Sequence, residues 1–214
     1  RSSITMKIRT VLALVLCTGY FVNNDIAYSA EKKDHATTEP ISIGDPIQKG
    51  RTVWGLRAGY GVAHEIAYSS PDHQFLALGG RFGGVVTQPR GPGFLKGNLE
   101  LTLEVLPVFV HYDDDPDYGA SFTLLLRQYL SPGSRWRPFL SIGAGAFMSL
   151  DRVPEATSRV NLTPLGGFGL SMAHSQRTIF TVEYGYHHIS IANTVELNPG
   201  INSSSFHFGV SMFL

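Results

Sequence analysis

The chain has 214 residues, enough for one domain or at most one domain with a small second piece. It is 43% hydrophobic with 23 Gly and 13 Phe, yet beyond the first thirty residues it has no run approaching the ~18 apolar residues a membrane helix needs. Basic and acidic residues balance at 17 each, so the charge pattern calls for neither nucleic acid nor another strongly charged partner.

The first segment reads as a secretory signal peptide over residues 1–30. Met6, Lys7 and Arg9 make a short positive start, residues 11–17 an apolar core, and Ala27-Tyr28-Ser29-Ala30 offers small residues for cleavage. Cys17 follows Leu16 rather than the small residue of a lipoprotein signal, and removing the segment leaves no cysteine for a disulfide or a catalytic thiol. Loss of Arg1, Lys7, Arg9 and Asp25 also makes the remainder slightly acidic. Residues 31–50 are polar with two prolines and no apolar period, and are expected to form a flexible lead-in on the periplasmic side.

From Arg51 onward hydrophobicity alternates. Leu95, Leu99, Leu101, Leu103, Val105 and Phe109 share one parity, while Lys96, Asn98, Glu100, Thr102 and Glu104 share the other. The chain ends the same way, with Phe206, Phe208, Val210, Met212 and Leu214 set against Ser205, His207, Gly209 and Ser211. A period of two marks β-strands. The strands are long and the apolar stripe runs to the chain end, which favours lipid outside and a polar lumen inside over a soluble sandwich. Eight strands are expected, at 52–65, 74–87, 94–112, 118–130, 136–150, 159–173, 177–190 and 203–214. Residues 51–214 thus read as an all-β, eight-stranded antiparallel transmembrane β-barrel of a Gram-negative outer membrane. The connections after strands two, four and six carry short turn chemistry, as in Gln88-Pro89-Arg90-Gly91-Pro92-Gly93 and Ser131-Pro132-Gly133-Ser134. The other loops hold most of the remaining charge and are expected to face the cell exterior. Arg57, Arg81, Arg127, Glu100, Glu104 and Glu183 fall on the lumen parity, where they would fill a barrel too narrow for a channel.

Most other polar features have ordinary readings. Asp113, Asp114, Asp115 and Asp117 are interrupted by Pro116 and lack the spacing of a calcium loop. His64, His73, His111, His174 and His207 show no metal-ligand spacing, so neither metal nor cofactor is expected. Residues 79–84, Gly-Gly-Arg-Phe-Gly-Gly, lack the Lys and the helix of a phosphate loop and suit close strand packing.

The seventh strand is different. Phe180, Val182, Tyr184 and Tyr186 lie on its lipid-facing parity, and continuing that parity brings His188 and Ser190 onto the apolar face. Polar groups against lipid cost free energy unless they are paired or used. An imidazole within reach of a hydroxyl is the minimum for acyl transfer.

The run His187-His188-Ile189-Ser190-Ile191-Ala192-Asn193, followed by Asn198-Pro199-Gly200-Ile201-Asn202, resembles the PagL family of outer-membrane lipid A 3-O-deacylases. That resemblance implies a serine esterase acting without a cofactor on lipid A of lipopolysaccharide, from the outer leaflet. In it His188 would be the general base and Ser190 the nucleophile, with the oxyanion contribution at Asn198 and the loop glycine replaced by Asn193. The family's orienting Glu, fourteen residues beyond the His, is Asn202 here, and the Asn that usually follows the Ser is Ile191. An Asn carbonyl can hold an imidazole tautomer, and Glu196 in the same loop is the alternative orienting group. A second function class stays open, a non-catalytic small barrel acting as an adhesin or structural protein. A homodimer also stays open.

Overall fold

The computed structural model describes residues 44–65, 73–112, 116–153, 158–191 and 200–214. The signal segment, most of the lead-in and the acidic residues Asp113 to Asp115 lie outside them.

Alternation becomes strand where the sequence places it: β1 (Thr52–Ala63), β2 (Gln74–Val85), β3 (Gly97–Tyr112), β4 (Asp117–Leu130), β5 (Trp136–Ser149), β6 (Val160–Leu162), β7 (Leu165–Ala173), β8 (Thr178–Ile189) and β9 (Ile201–Phe213). Neighbours pair antiparallel, and pairing of β1 with β9 closes the sheet. β6 and β7 are two halves of one stave. Leu162 faces Ala146 and Leu165 faces Gly143, so both halves keep a single register against β5. The ladder breaks at Pro164, which has no N–H to donate. The result is a closed eight-stranded antiparallel barrel.

Burial confirms that the barrel is inside-out. Ile142 on the outer wall is 66% exposed, whereas Arg127 in the lumen is 1% exposed. Arg57 Nη1 lies 2.6 Å from Glu104 Oε2, Arg127 Nη2 lies 2.5 Å from Glu183 Oε2, and Arg81 pairs with Glu100. The lumen charges predicted from parity therefore neutralise one another inside a water-poor interior, as buried charges must.

Two local departures from the sequence reading have physical causes. Strand three begins at Gly97 rather than 94, because Pro92 and the positive φ of Gly93 set up a 3₁₀ turn over Gly93–Leu95. Phe109, grouped by parity with the outward leucines, is buried in the lumen. The register of β3 against β4 slips by one residue between Leu106 and Phe109, next to Pro107, and one extra residue flips the faces beyond it. Phe109 then stacks on Phe75 at 4.8 Å between ring centres and packs against Phe147, forming an apolar plug with Ile189 and Ile201.

The opposite end is closed by the last part of the lead-in. Ile47 is buried with Val53, Val85, Tyr129, Phe139, Ile179 and Phe213. Asp45 pairs with Arg137 at 2.9 Å, and Arg137 Nη2 donates to Asn98 Oδ1 at 2.8 Å. Composition alone suggested flexibility for this stretch; one buried Ile and one ion pair anchor residues 45–47 in the mouth of the barrel.

Candidate active site

β8 and β9 run antiparallel with His188 directly opposite Asn202, which puts both side chains on the outer wall. The His188 Nδ1 and Asn202 Oδ1 atoms are 2.7 Å apart. A carbonyl oxygen can only accept, so the imidazole donates from Nδ1 and its Nε2 lone pair is left to take a proton. The strand-parity reading that set Asn202 beside His188 matches this geometry. Asn202 Oδ1 also accepts from the Tyr186 hydroxyl at 2.8 Å.

Ser190 lies one residue past the end of β8 and is buried at 7% exposure. Its backbone forms an isolated bridge with Leu162: Ser190 N donates to Leu162 O at 3.0 Å, and Leu162 N donates back at 2.7 Å. His188 N donates to Pro164 O at 3.0 Å. The broken stave thus anchors the His-x-Ser segment on one side while β9 anchors it on the other. No hydrogen bond joins the Ser190 hydroxyl to His188. Asn193, Glu196 and Asn198, all predicted as site residues, lie outside the described residues.

A groove of about 770 Å³ opens from the His188–Asn202 pair along the outer wall. Gly166 is opposite Tyr186 on one side and Ile142 on the other, and Leu126 and Leu101 follow across the next two strands. Gly143, Ala144 and Gly166 contribute little side-chain bulk there, while Leu101, Leu124, Leu126 and Ile142 supply apolar surface. The lining is almost wholly hydrocarbon, with polar atoms gathered at the His188 end. An alkyl chain laid around the barrel fits that chemistry.

Sequence reasoning did not single out Pro164, Gly166 or the Tyr186 hydroxyl. Pro164 inside an alternating strand was the readable signal, since a proline there must break the ladder. The groove had no such signal, because its members come from six strands and meet only through register. Among the described residues, no group of three or more His, Cys, Asp or Glu is placed to hold a metal ion.

An apolar outer wall, an ion-paired lumen and eight closed staves define an outer-membrane β-barrel protein, here with a polar pair set into its outer wall. The description "Lipid A 3-O-deacylase (PagL)" matches by sequence over residues 60–211, and the chain belongs to that family. Among solved structures it is similar to the outer membrane enzyme PagL, with a TM-score of 0.56 and 19% identity, covering 72% of this chain and 97% of that one. It is also similar to Neisserial surface protein A, with a TM-score of 0.52 and 14% identity, covering 75% of this chain and 96% of that one. At these identities both likenesses speak to the fold. No match is found among curated proteins.

Proposed function

We propose that this barrel is a serine esterase that hydrolyses the ester-linked 3-position acyl chain of lipid A. The observation that carries the proposal is the His188 Nδ1–Asn202 Oδ1 contact of 2.7 Å at the mouth of an apolar groove on the membrane-facing wall. In solution such a groove would be an aggregation hazard; in the outer leaflet it is a track for an acyl chain, with the ester brought to His188.

Ser190 Oγ attacks the ester carbonyl carbon while its proton passes to His188 Nε2. Asn202 holds the Nδ1 proton throughout. The tetrahedral intermediate collapses by breaking the bond to the sugar oxygen, which leaves with the proton from His188. Water then attacks the acyl-Ser190 ester by the same route, with His188 again as base, and releases the fatty acid. The family's oxyanion contribution falls on Asn198. No cofactor takes part.

Ser190→Ala and His188→Asn should each abolish removal of the 3-linked chain, read by mass spectrometry of lipid A, and the double variant should lose no more than either single one. A second reading, a barrel without catalysis, is favoured by one observation: Ser190 is not hydrogen-bonded to His188. Full deacylation by Ser190→Ala sinks the serine mechanism, and unchanged lipid A in cells making the wild-type protein selects the second reading.

A further inference from the structure

The outer wall around the site carries a hydrogen-bond arrangement that the proposed mechanism does not use. Along β8, Tyr184, Tyr186 and His188 point outward; along β9, Asn202, Ser204 and Phe206 do. Tyr186 stands opposite Ser204, yet its hydroxyl reaches diagonally to Asn202 Oδ1 at 2.8 Å. Tyr184 leans the same way, from its partner Phe206 to the Ser204 hydroxyl at 2.6 Å, and Ser204 is also 2.7 Å from His64 Nε2. Long side chains make such diagonal contacts readily.

We propose that Tyr186 is a positioning residue, whose hydroxyl holds the Asn202 amide with its oxygen toward His188 so that the imidazole keeps its proton on Nδ1. The inference rests on the esterase reading for its consequence, but not for its geometry. A carboxylate at position 202 would offer two equivalent acceptors, and its orientation would not matter. An amide has an acceptor on one side and a donor on the other. Turned over, Asn202 would present N–H to Nδ1 and favour the tautomer protonated on Nε2, which cannot take a proton from Ser190. With the oxygen toward His188, the phenol hydrogen and the Nδ1 hydrogen converge on one acceptor. With the amide turned over, the phenol oxygen would have to accept from the amide N–H and its own hydrogen would lose the Asn202 acceptor, so donation from Tyr186 favours the productive orientation. With Asn202 in the orienting position, a hydroxyl at position 186 acquires a role that a carboxylate would not require.

The test is Tyr186→Phe, which keeps the ring on the groove wall and removes only the hydroxyl. The full chain, folded in detergent and labelled with ¹⁵N-histidine, reports the His188 tautomer by ¹⁵N chemical shifts, with His188→Asn assigning the resonance. The expected result is Nδ1–H in the wild type and a substantial Nε2–H fraction in Tyr186→Phe, with kcat lowered by about tenfold or more and KM little changed. In an Asn202→Asp background the same Phe substitution should cost under about twofold, since the carboxylate cannot be turned the wrong way. An unchanged His188 tautomer in Tyr186→Phe overturns the inference, as does an equal loss of kcat in both backgrounds, which would make Tyr186 only a wall of the groove. A tautomer shift in a protein without deacylase activity upholds the positioning role and overturns the esterase reading alone.

Discussion

Gly200 lies against the His188 ring so closely that a Cβ there would come within 2.7 Å of Cε1 and 3.4 Å of Nε2. The side-chain-free position lets the imidazole sit against the chain just before β9 while Nδ1 reaches Asn202. Gly200→Ala should push the ring off that line. A displacement of about 1 Å at a reacting group costs roughly 10²-fold, so turnover should fall by about that much while the circular dichroism of the barrel stays β-rich and unchanged. Wild-type turnover in Gly200→Ala would show that the ring has room this geometry denies it.

Orientation of His188 can also be assigned by comparing two residues. If Asn202 has the orienting role, Asn202→Ala should lower turnover strongly, since the wrong imidazole tautomer in a serine enzyme costs up to about 10⁴-fold. Glu196→Ala should matter little. Asn202→Glu is expected to raise turnover, because a carboxylate supports the imidazolium formed as Ser190 attacks, unless desolvation near lipid keeps it protonated. Rates of all three variants in one lipid A assay decide the matter, and a larger loss in Glu196→Ala would give the role to the loop carboxylate.

These two tests separate what the sequence carried from what it did not. Strand parity alone put Asn202 beside His188, because a period of two and an antiparallel pair leave little freedom once the strand ends are known. The same rule misassigned Phe109, where an extra residue beside Pro107 reverses the faces and no local pattern announces the slip. It carried strand seven to residue 190, whereas β8 stops at Ile189; Ser190 continues the pairing as an isolated bridge opposite outward-facing Leu162, so it keeps the outward parity at a position that is nonetheless buried. Groove and tyrosine contacts were illegible for another reason: they depend on how six strands are staggered, and stagger is a property of the closed sheet.

The groove makes a prediction about substrate length. At Gly166 an added Cβ would find its nearest neighbour, Ser141 O, at 3.8 Å, so a side chain fits without straining the wall and projects outward. Gly166→Leu should therefore fill the track beside His188 and leave the barrel folded. Its rate on esters of long acyl chains should drop by about tenfold or more, while short-chain esters that end before the obstruction lose little, in line with what several methylenes contribute in an apolar site. An equal effect on short and long chains would place the acyl chain elsewhere.

The last prediction concerns what keeps the wall carrying the site rigid. Glu183 lies on β8 with its carboxylate in the lumen, on the face opposite His188, where it accepts from Arg127 at 2.5 Å and from the Ser141 hydroxyl and lies 3.3 Å from Arg57. It is 3% exposed, so Glu183→Ala would leave the Arg127 guanidinium without its carboxylate in a nearly dry interior, while Arg57 retains Glu104. Removing one partner of a buried pair costs about 3–5 kcal/mol, whereas removing both charges together is often close to neutral. Glu183→Ala should thus lower the urea midpoint of the folded barrel markedly, and adding Arg127→Met should restore much of it. Because Glu183 faces away from the groove, turnover per folded molecule should be nearly unchanged in both variants. Added salt should weaken these lumen pairs little, since buried pairs are poorly screened. Losses that simply add in the double variant would mean that Arg127 is held by the wider lumen network and not chiefly by Glu183.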